Sequence, residues 1–302
     1  MLDDYDRLLE RISGGSPPPA VVVQPYVSDA FDAVSKAFDS GAPQIYVTGD
    51  AAILEPLLRN SALDPNRVEI VHAPATADAV TEAARLVAEG AASFVVKGSV
   101  TSADLLKGLL GRARLGTGSV ASHLYVIEAP AYGGRTVAFS DAGVNIEPDL
   151  QTKTHIVRNS VSAMHALGVD APRIAVLSAM EYVKPTVPSS MDAALLAQMS
   201  RRGQLGDVIL DGPLSIDAAL SISAAAAKSL TGPVAGHADL LLAPNIDAAN
   251  MTSKALIGTH GRAMAVVLGA KAPIALPSRG DSLETRTHSL LLAAYLAQRM
   301  RS

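Results

Sequence analysis

The segment Ser278-Arg279-Gly280-Asp281-Ser282-Leu283-Glu284 has the residue types and spacing of an anion site. It follows the apolar run Ile274-Ala275-Leu276, which reads as a strand, and it opens a helical pattern that runs to about Met300. Asp281 is placed to cap that helix, and Glu284, three residues on, completes a capping-box pair. Ser278, Arg279 and Gly280 then fall at the carboxyl end of a strand and beside a helix N-terminus. Ligands of open α/β sheets bind at that edge. Exposed backbone N–H groups and the helix dipole favour a negative charge there. The Arg279 guanidinium adds a forked donor that matches phosphate geometry.

A second segment repeats the arrangement. Phe94-Val95-Val96 reads as a strand ending in Lys97-Gly98, followed by Ser99, Thr101 and a helical pattern over Ser102 to Leu110 that contains Lys107. A Gly and hydroxyl turn lets phosphate oxygens approach the backbone. It is not a P-loop, because the G-x-x-x-x-G-K-[ST] spacing is absent, and a helix cap explains the same letters equally well. Ser140-Asp141-Ala142-Gly143-Val144-Asn145, Glu181-Tyr182-Val183-Lys184-Pro185 and Asp211-Gly212-Pro213-Leu214 are polar at expected strand ends, where turn or cap roles compete with cleft-lining ones. The 7 histidines show no metal-ligand spacing, so no metal site is expected. No G-x-G-x-x-G follows a strand, which removes direct support for a dinucleotide site.

These segments must be held by a frame, and the frame is legible. Short apolar runs (Ala20–Val23, Ile45–Gly49, Val68–Val71, Ile174–Leu177, Leu240–Leu242) alternate with amphipathic stretches. Repeated strand and helix alternation implies largely parallel sheets covered by helices on both faces, an α/β protein. The strand runs are continuously apolar, as expected when both faces are covered. Leu124–Ile127 and Thr136–Phe139 read instead as antiparallel strands around Tyr132-Gly133-Gly134. A length of 302 residues suggests two domains. Hydrophobic residues form 49% of the chain and charged residues 18%, which excludes a wholly disordered chain. Lys and Arg number 25 against 29 Asp and Glu, a net charge of −4 that disfavours a nucleic-acid partner. There is no Cys and no Trp, so disulfides, thiolate metal sites and a cysteine nucleophile are excluded. No apolar run has the length of a membrane span and no secretory pattern opens the chain, so a cytoplasmic protein without a membrane partner is expected.

Taken together, the ordered segments resemble the phosphate acetyltransferase/phosphate butyryltransferase family, the butyryl-type branch more than the long acetyl-specific one. The carrying pieces are Lys97-Gly98 with Thr101 to Leu110, Thr117-Gly118 with Ser122-His123, Ser140 to Pro148, Leu177 to Glu181, Pro188 to Ala193, Asp211 to Leu214, Pro233 to Asp239, Pro244-Asn245-Ile246, Gly269 to Pro273 and Ser278 to Ser282. The resemblance implies a fold like the isocitrate/isopropylmalate dehydrogenases, with two α/β domains and an active-site cleft between them. The first domain would hold residues 1–145 and 275–302. The second would hold residues 146–274 and make the contact of a homodimer or higher homo-oligomer. The implied reaction is CoA plus a short-chain acyl phosphate, acetyl to butyryl, giving acyl-CoA and inorganic phosphate. CoA would be a substrate, and no cofactor would be held permanently.

By the same resemblance, Ser278 and Arg279 are the pair that polarises the carbonyl and holds phosphate. Lys97, Ser99 and Thr101 would line the phosphate pocket, and Lys107 stands where acetyl-type members carry a phosphate-contacting Arg. Asp281 would contact substrate, and Glu284, with Asp281 as the other nearby candidate, would take the thiol proton unless catalysis relies on positioning without a carboxylate base. The acetyl-type base, an Asp seven residues after the Ser, is Thr285 here, and Gly116 replaces an Arg of the butyryl-type branch. These two departures keep open a second reading, a non-catalytic subunit that binds CoA or acyl phosphate on the same fold.

Overall fold

In a computed structural model of the chain, residues 1–38, 43–112, 115–258, 260–278 and 280–300 are described. The chain divides into two compact units, one of Met1–Leu8 with Val120–Ala263, the other of Leu9–Ser119 with Met264–Ser302. No described helix is long and apolar enough to cross a membrane.

The unit containing Leu9–Ser119 is a doubly wound α/β layer. Its strands are β1 (Ala20–Val23), β2 (Ile45–Gly49), β3 (Val68–His72), β4 (Phe94–Lys97), β10 (Ala263–Leu268) and β11 (Ile274–Ala275). Their order is β3-β2-β1-β4-β11-β10. All neighbours are parallel except β10 with β11. All four side chains of β1 and of β4 are buried. That follows from covering both faces with α2 (Ser28–Phe38), α3 (Ala51–Arg59), α4 (Thr76–Ala88), α5 (Ser102–Lys107) and α11 (Leu283–Arg299). The chain winds outward through β1, β2 and β3, then returns to place β4 on the other side of β1. That reversal puts the topological switch point at the carboxyl ends of β1 and β4, the edge where ligands of such sheets bind.

The other unit holds β5 (Ser122–Ala129), β6 (Arg135–Ser140), β7 (Arg173–Leu177), β8 (Ile209–Leu214) and β9 (Leu240–Leu242) in the order β5-β6-β9-β7-β8. The hairpin β5–β6 is antiparallel, as the sequence suggests, and the other neighbours are parallel. The helices are α6 (Leu150–Ala166), α7 (Pro188–Arg201), α8 (Ile216–Leu220), α9 (Ile222–Ala227) and α10 (Ile246–Ile257). Ile127, Phe139, Leu214 and Leu241 anchor an aliphatic core rich in alanine.

The units divide at 119/120 and 263/264, where 145/146 and 274/275 were expected, and a further division at 8/9 groups Met1–Leu8 with Val120–Ala263. The hairpin explains the first shift, because β6 pairs with β9 and brings β5 with it. Pairing of β10 with β11, and of β11 with β4, explains the second. Three local features shape the helices. The chain breaks between α8 and α9 at Ser221, whose extended backbone lets its Oγ accept the Ala224 N–H. Helix α7 starts at Pro188, where a fixed φ suits the first turn. The acidic start of the chain folds into a further helix, α1 (Tyr5–Ser13).

Candidate active site

Three loops, following β1, β4 and β11, stand at the carboxyl ends of these strands. At the end of β1, Gln24 has φ of 50°, a left-handed conformation uncommon outside glycine, and its N–H donates to Thr48 O at 2.8 Å. The loop after β4 passes directly over it. Gly98 N donates to Val23 O at 3.0 Å and Ser99 N to Gln24 O at 2.8 Å. A Cβ on Gly98 would lie 2.5 Å from both carbonyl oxygens, so the crossing needs glycine for space. Ser99 Oγ accepts the Tyr26 N–H at 3.2 Å. Lys97, only 8% exposed, donates from Nζ to Gly98 O at 3.3 Å.

The third loop follows β11. Ser278 N donates to Asp281 Oδ2 at 2.7 Å, and Asp281 N donates back to Ser278 O at 3.2 Å, closing a tight turn. The cap of α11 is Ser282, not Asp281. Ser282 Oγ accepts the Thr285 N–H at 3.1 Å and donates to Thr285 Oγ1 at 3.2 Å. Thr285 is therefore the residue paired with the cap, where Asp281 with Glu284 was expected, and Glu284 lies exposed in the first turn. A serine one residue further on supplies the cap, which leaves Asp281 to hold the turn.

Arg286, 15% exposed, comes from the same helix. Its Nε donates to Asp281 O at 3.2 Å and its Nη1 reaches Asp29 Oδ2 at 3.5 Å. Lys97, Ser99, Ser278, Arg286 and Asp29 line one cavity of about 700 Å³ with aliphatic residues of α2 and α11. Two cations and the three serines Ser28, Ser99 and Ser278 thus line one cavity at the sheet's switch point, an arrangement suited to a phosphate. Asp29 is the one carboxylate residue among the described lining residues.

Of the residues expected from the sequence, Lys97, Ser99 and Ser278 share this cavity, while Thr101, Lys107, Asp281 and Glu284 are absent from its lining. Thr101 is the cap of α5, accepting the Asp104 N–H at 3.1 Å and donating to Asp104 Oδ2 at 2.7 Å. Lys107 is exposed in the last turn of that helix. Arg279 lies outside the described residues. Arg286 and Asp29 escaped the sequence reading, because each looks like an ordinary charge in a helix's first turns. The available signal was the position of Arg286 four residues after a serine cap.

The polar segments of the other unit satisfy themselves. Asp141 accepts N–H bonds from His123 at 2.9 Å, Gly143 at 3.2 Å, Val144 at 3.2 Å and Asn145 at 2.8 Å, so it clasps its own loop. His123 is buried, and burial lowers its pKa to about 4 despite the opposing attraction of Asp141. Lys228 Nζ joins Glu181 Oε1 at 2.6 Å, Ser215 Oγ at 2.7 Å and Asp217 Oδ2 at 2.9 Å. Hydrogen bonds from Ser215 and Lys228 hold Asp217 at about 2. Asp211 Oδ1 accepts the Gly212 N–H at 2.9 Å. Among the described residues no group of His, Asp and Glu could hold a metal ion.

Residues 47–294 match the family model for phosphate acetyl/butaryl transferase. The chain belongs to that family. It is 35% identical over 299 residues to a phosphate butyryltransferase of Clostridium acetobutylicum, covering 98% of this chain and 99% of that one. It is 36% identical over 300 residues to a phosphate acetyltransferase of Rhizobium meliloti, covering 99% and 95%. Among solved structures, a branched-chain phosphotransacylase from Enterococcus faecalis V583 superposes with a TM-score of 0.80 at 31% identity, covering 93% of this chain and 99% of that one. Family members named for acetyl, butyryl and branched-chain groups thus stand at similar distances.

Proposed function

We propose that the chain is a phosphate acyltransferase that converts CoA and a short-chain acyl phosphate, acetyl to butyryl, into acyl-CoA and inorganic phosphate, reversibly. The observation that carries this reading is a family relationship running the full length of the chain. The convergence of Lys97, Ser99, Ser278 and Arg286 in one cavity supports the assignment of roles. Lys97 and Arg286 neutralise the phosphate. The Ser99 oxygen already accepts a backbone N–H, so its hydroxyl proton is the one turned to the ligand. Ser278 polarises the carbonyl, and Arg279 keeps the phosphate-holding role its family counterpart implies.

The chemistry is direct attack. The CoA sulfur forms a bond to the acyl carbon, the charge passes to the carbonyl oxygen, and the bond from carbon to the phosphate oxygen breaks. Phosphate leaves as the anion that Lys97 and Arg286 receive. A thiol with a pKa of about 8.5 is roughly one-tenth thiolate at pH 7.5, enough to supply the nucleophile without a carboxylate base. Because Glu284 and Asp281 do not line the cavity, the proposal assigns proton removal to solvent.

Purified protein with CoA and acetyl, propionyl or butyryl phosphate should give thioester absorbance. Arg279→Ala should lower turnover roughly a hundredfold, the usual effect of losing one charge stabiliser. CoA binding without thioester from any substrate would replace this reading with the non-catalytic one. The cytoplasm is proposed as the setting, in keeping with the expectation from the sequence and with the family relationship. A homodimer or larger homo-oligomer is proposed from the family's habit, with the Val120–Ala263 unit carrying the contact. Sedimentation equilibrium tests it.

A further inference from the structure

The cavity has two layers. Asp29 and Arg286 meet at 3.5 Å in the first turns of α2 and α11. These helices follow β1 and β11, which are both parallel to β4, so both run back from the same sheet edge, and they pack on each other. One turn further, about 6 Å deeper along each helix, the same faces carry Ala33 and Leu290. Both are buried and both line the cavity. Ala30 of α2, one residue beyond Asp29, and Val96 of β4, one residue before Lys97, also line the cavity. A charged layer therefore stands above a wholly aliphatic one.

Resting on the acyltransferase reading, we propose that the lower layer is the acyl-chain pocket and that Ala30 and Ala33 set the chain length it accepts. An acyl phosphate is an anion joined to an apolar tail, and it fits the two layers in one orientation only, phosphate at Lys97 and Arg286 with the chain between α2 and α11. The two small side chains are what leave the gap open. A branched or longer residue at either position fills the space a third and fourth carbon would occupy.

Alkylphosphonates, which carry the same anionic head and a variable tail, test the pocket without requiring turnover. Calorimetry should show affinity rising about fourfold per methylene, so propylphosphonate should bind roughly fifteen times more tightly than methylphosphonate. Ala30→Leu should reduce that ratio below threefold and lower the butyryl-to-acetyl ratio of kcat/KM at least fivefold. Ala33→Val, a smaller change, should act in the same direction and serves if Ala30→Leu melts early. Equal affinity for the two phosphonates in the natural protein, or unchanged ratios in folded variants, would overturn the pocket. Graded phosphonate binding without thioester from any acyl phosphate would instead retain the pocket and defeat the enzymatic reading.

Discussion

His123 should make the protein lose stability in mild acid, and by a calculable amount. The residue sits near the start of β5, 5% exposed, with its ring centroid 4.8 Å from that of Tyr125. Its Nε2 is buried with no hydrogen-bond partner. Burial holds its pKa at about 4 against 6.5 in the unfolded chain. Below pH 6.5 the unfolded chain binds a proton that the folded one refuses until about pH 4. Stability must therefore fall as pH drops through that window and be fully present above it. At about 1.4 kcal/mol per pH unit, the loss is about 3 kcal/mol by pH 4. Carboxylates also titrate there, so the decisive measurement is a difference. Urea unfolding of the natural protein and of His123→Gln should be compared at pH 7.5, 6, 5 and 4.5. The natural protein should lose about 2–3 kcal/mol more than the variant between the extremes. Parallel curves would show that the imidazole is protonated, or exposed, in the fold.

Three further outcomes follow from individual residues and their contacts. Gly98→Ala, forcing a Cβ to within 2.5 Å of two carbonyl oxygens, should cost at least about 2 kcal/mol and abolish thioester formation, and normal unfolding in urea would contradict the crossing. Lys153 is buried on α6 with its Nζ 2.6 Å from Asp192 Oδ2, so Asp192→Ala should cost about 3–5 kcal/mol by stranding the ammonium, and a cost below about 1 kcal/mol would refute that pairing. Glu284→Gln should retain turnover, and log kcat/KM should rise with unit slope toward about pH 8.5 as free thiol ionises. A tenfold loss or a flat profile would restore Glu284 as the base.

The fold was legible because its strands are short, apolar and separated by amphipathic helices. β1, β2 and β9 fall on the residues the sequence suggests, and the hairpin β5–β6 is visible in its Gly133-Gly134 turn. Helix edges were less so, for a physical reason visible at Ser278–Thr285. Asp281, Ser282 and Glu284 can each serve a cap, and the sequence does not say which oxygen reaches which N–H. The same limit governs the site. Lys97, Ser99 and Ser278 could be picked out because each stands at or just beyond the end of a strand in its own segment, and the strand-end rule needs no partner. Arg286 and Asp29 are meaningful only as a pair, 257 residues apart in sequence. Ala30 and Ala33 carry no polar signal at all. What distinguishes them is the face they share opposite Leu290, a relation that exists only once β1 and β11 lie on either side of β4. Charges at strand ends can therefore be read from one segment at a time, whereas Ala30 and Ala33 acquire a part in the cavity only through the second helix that packs beside them.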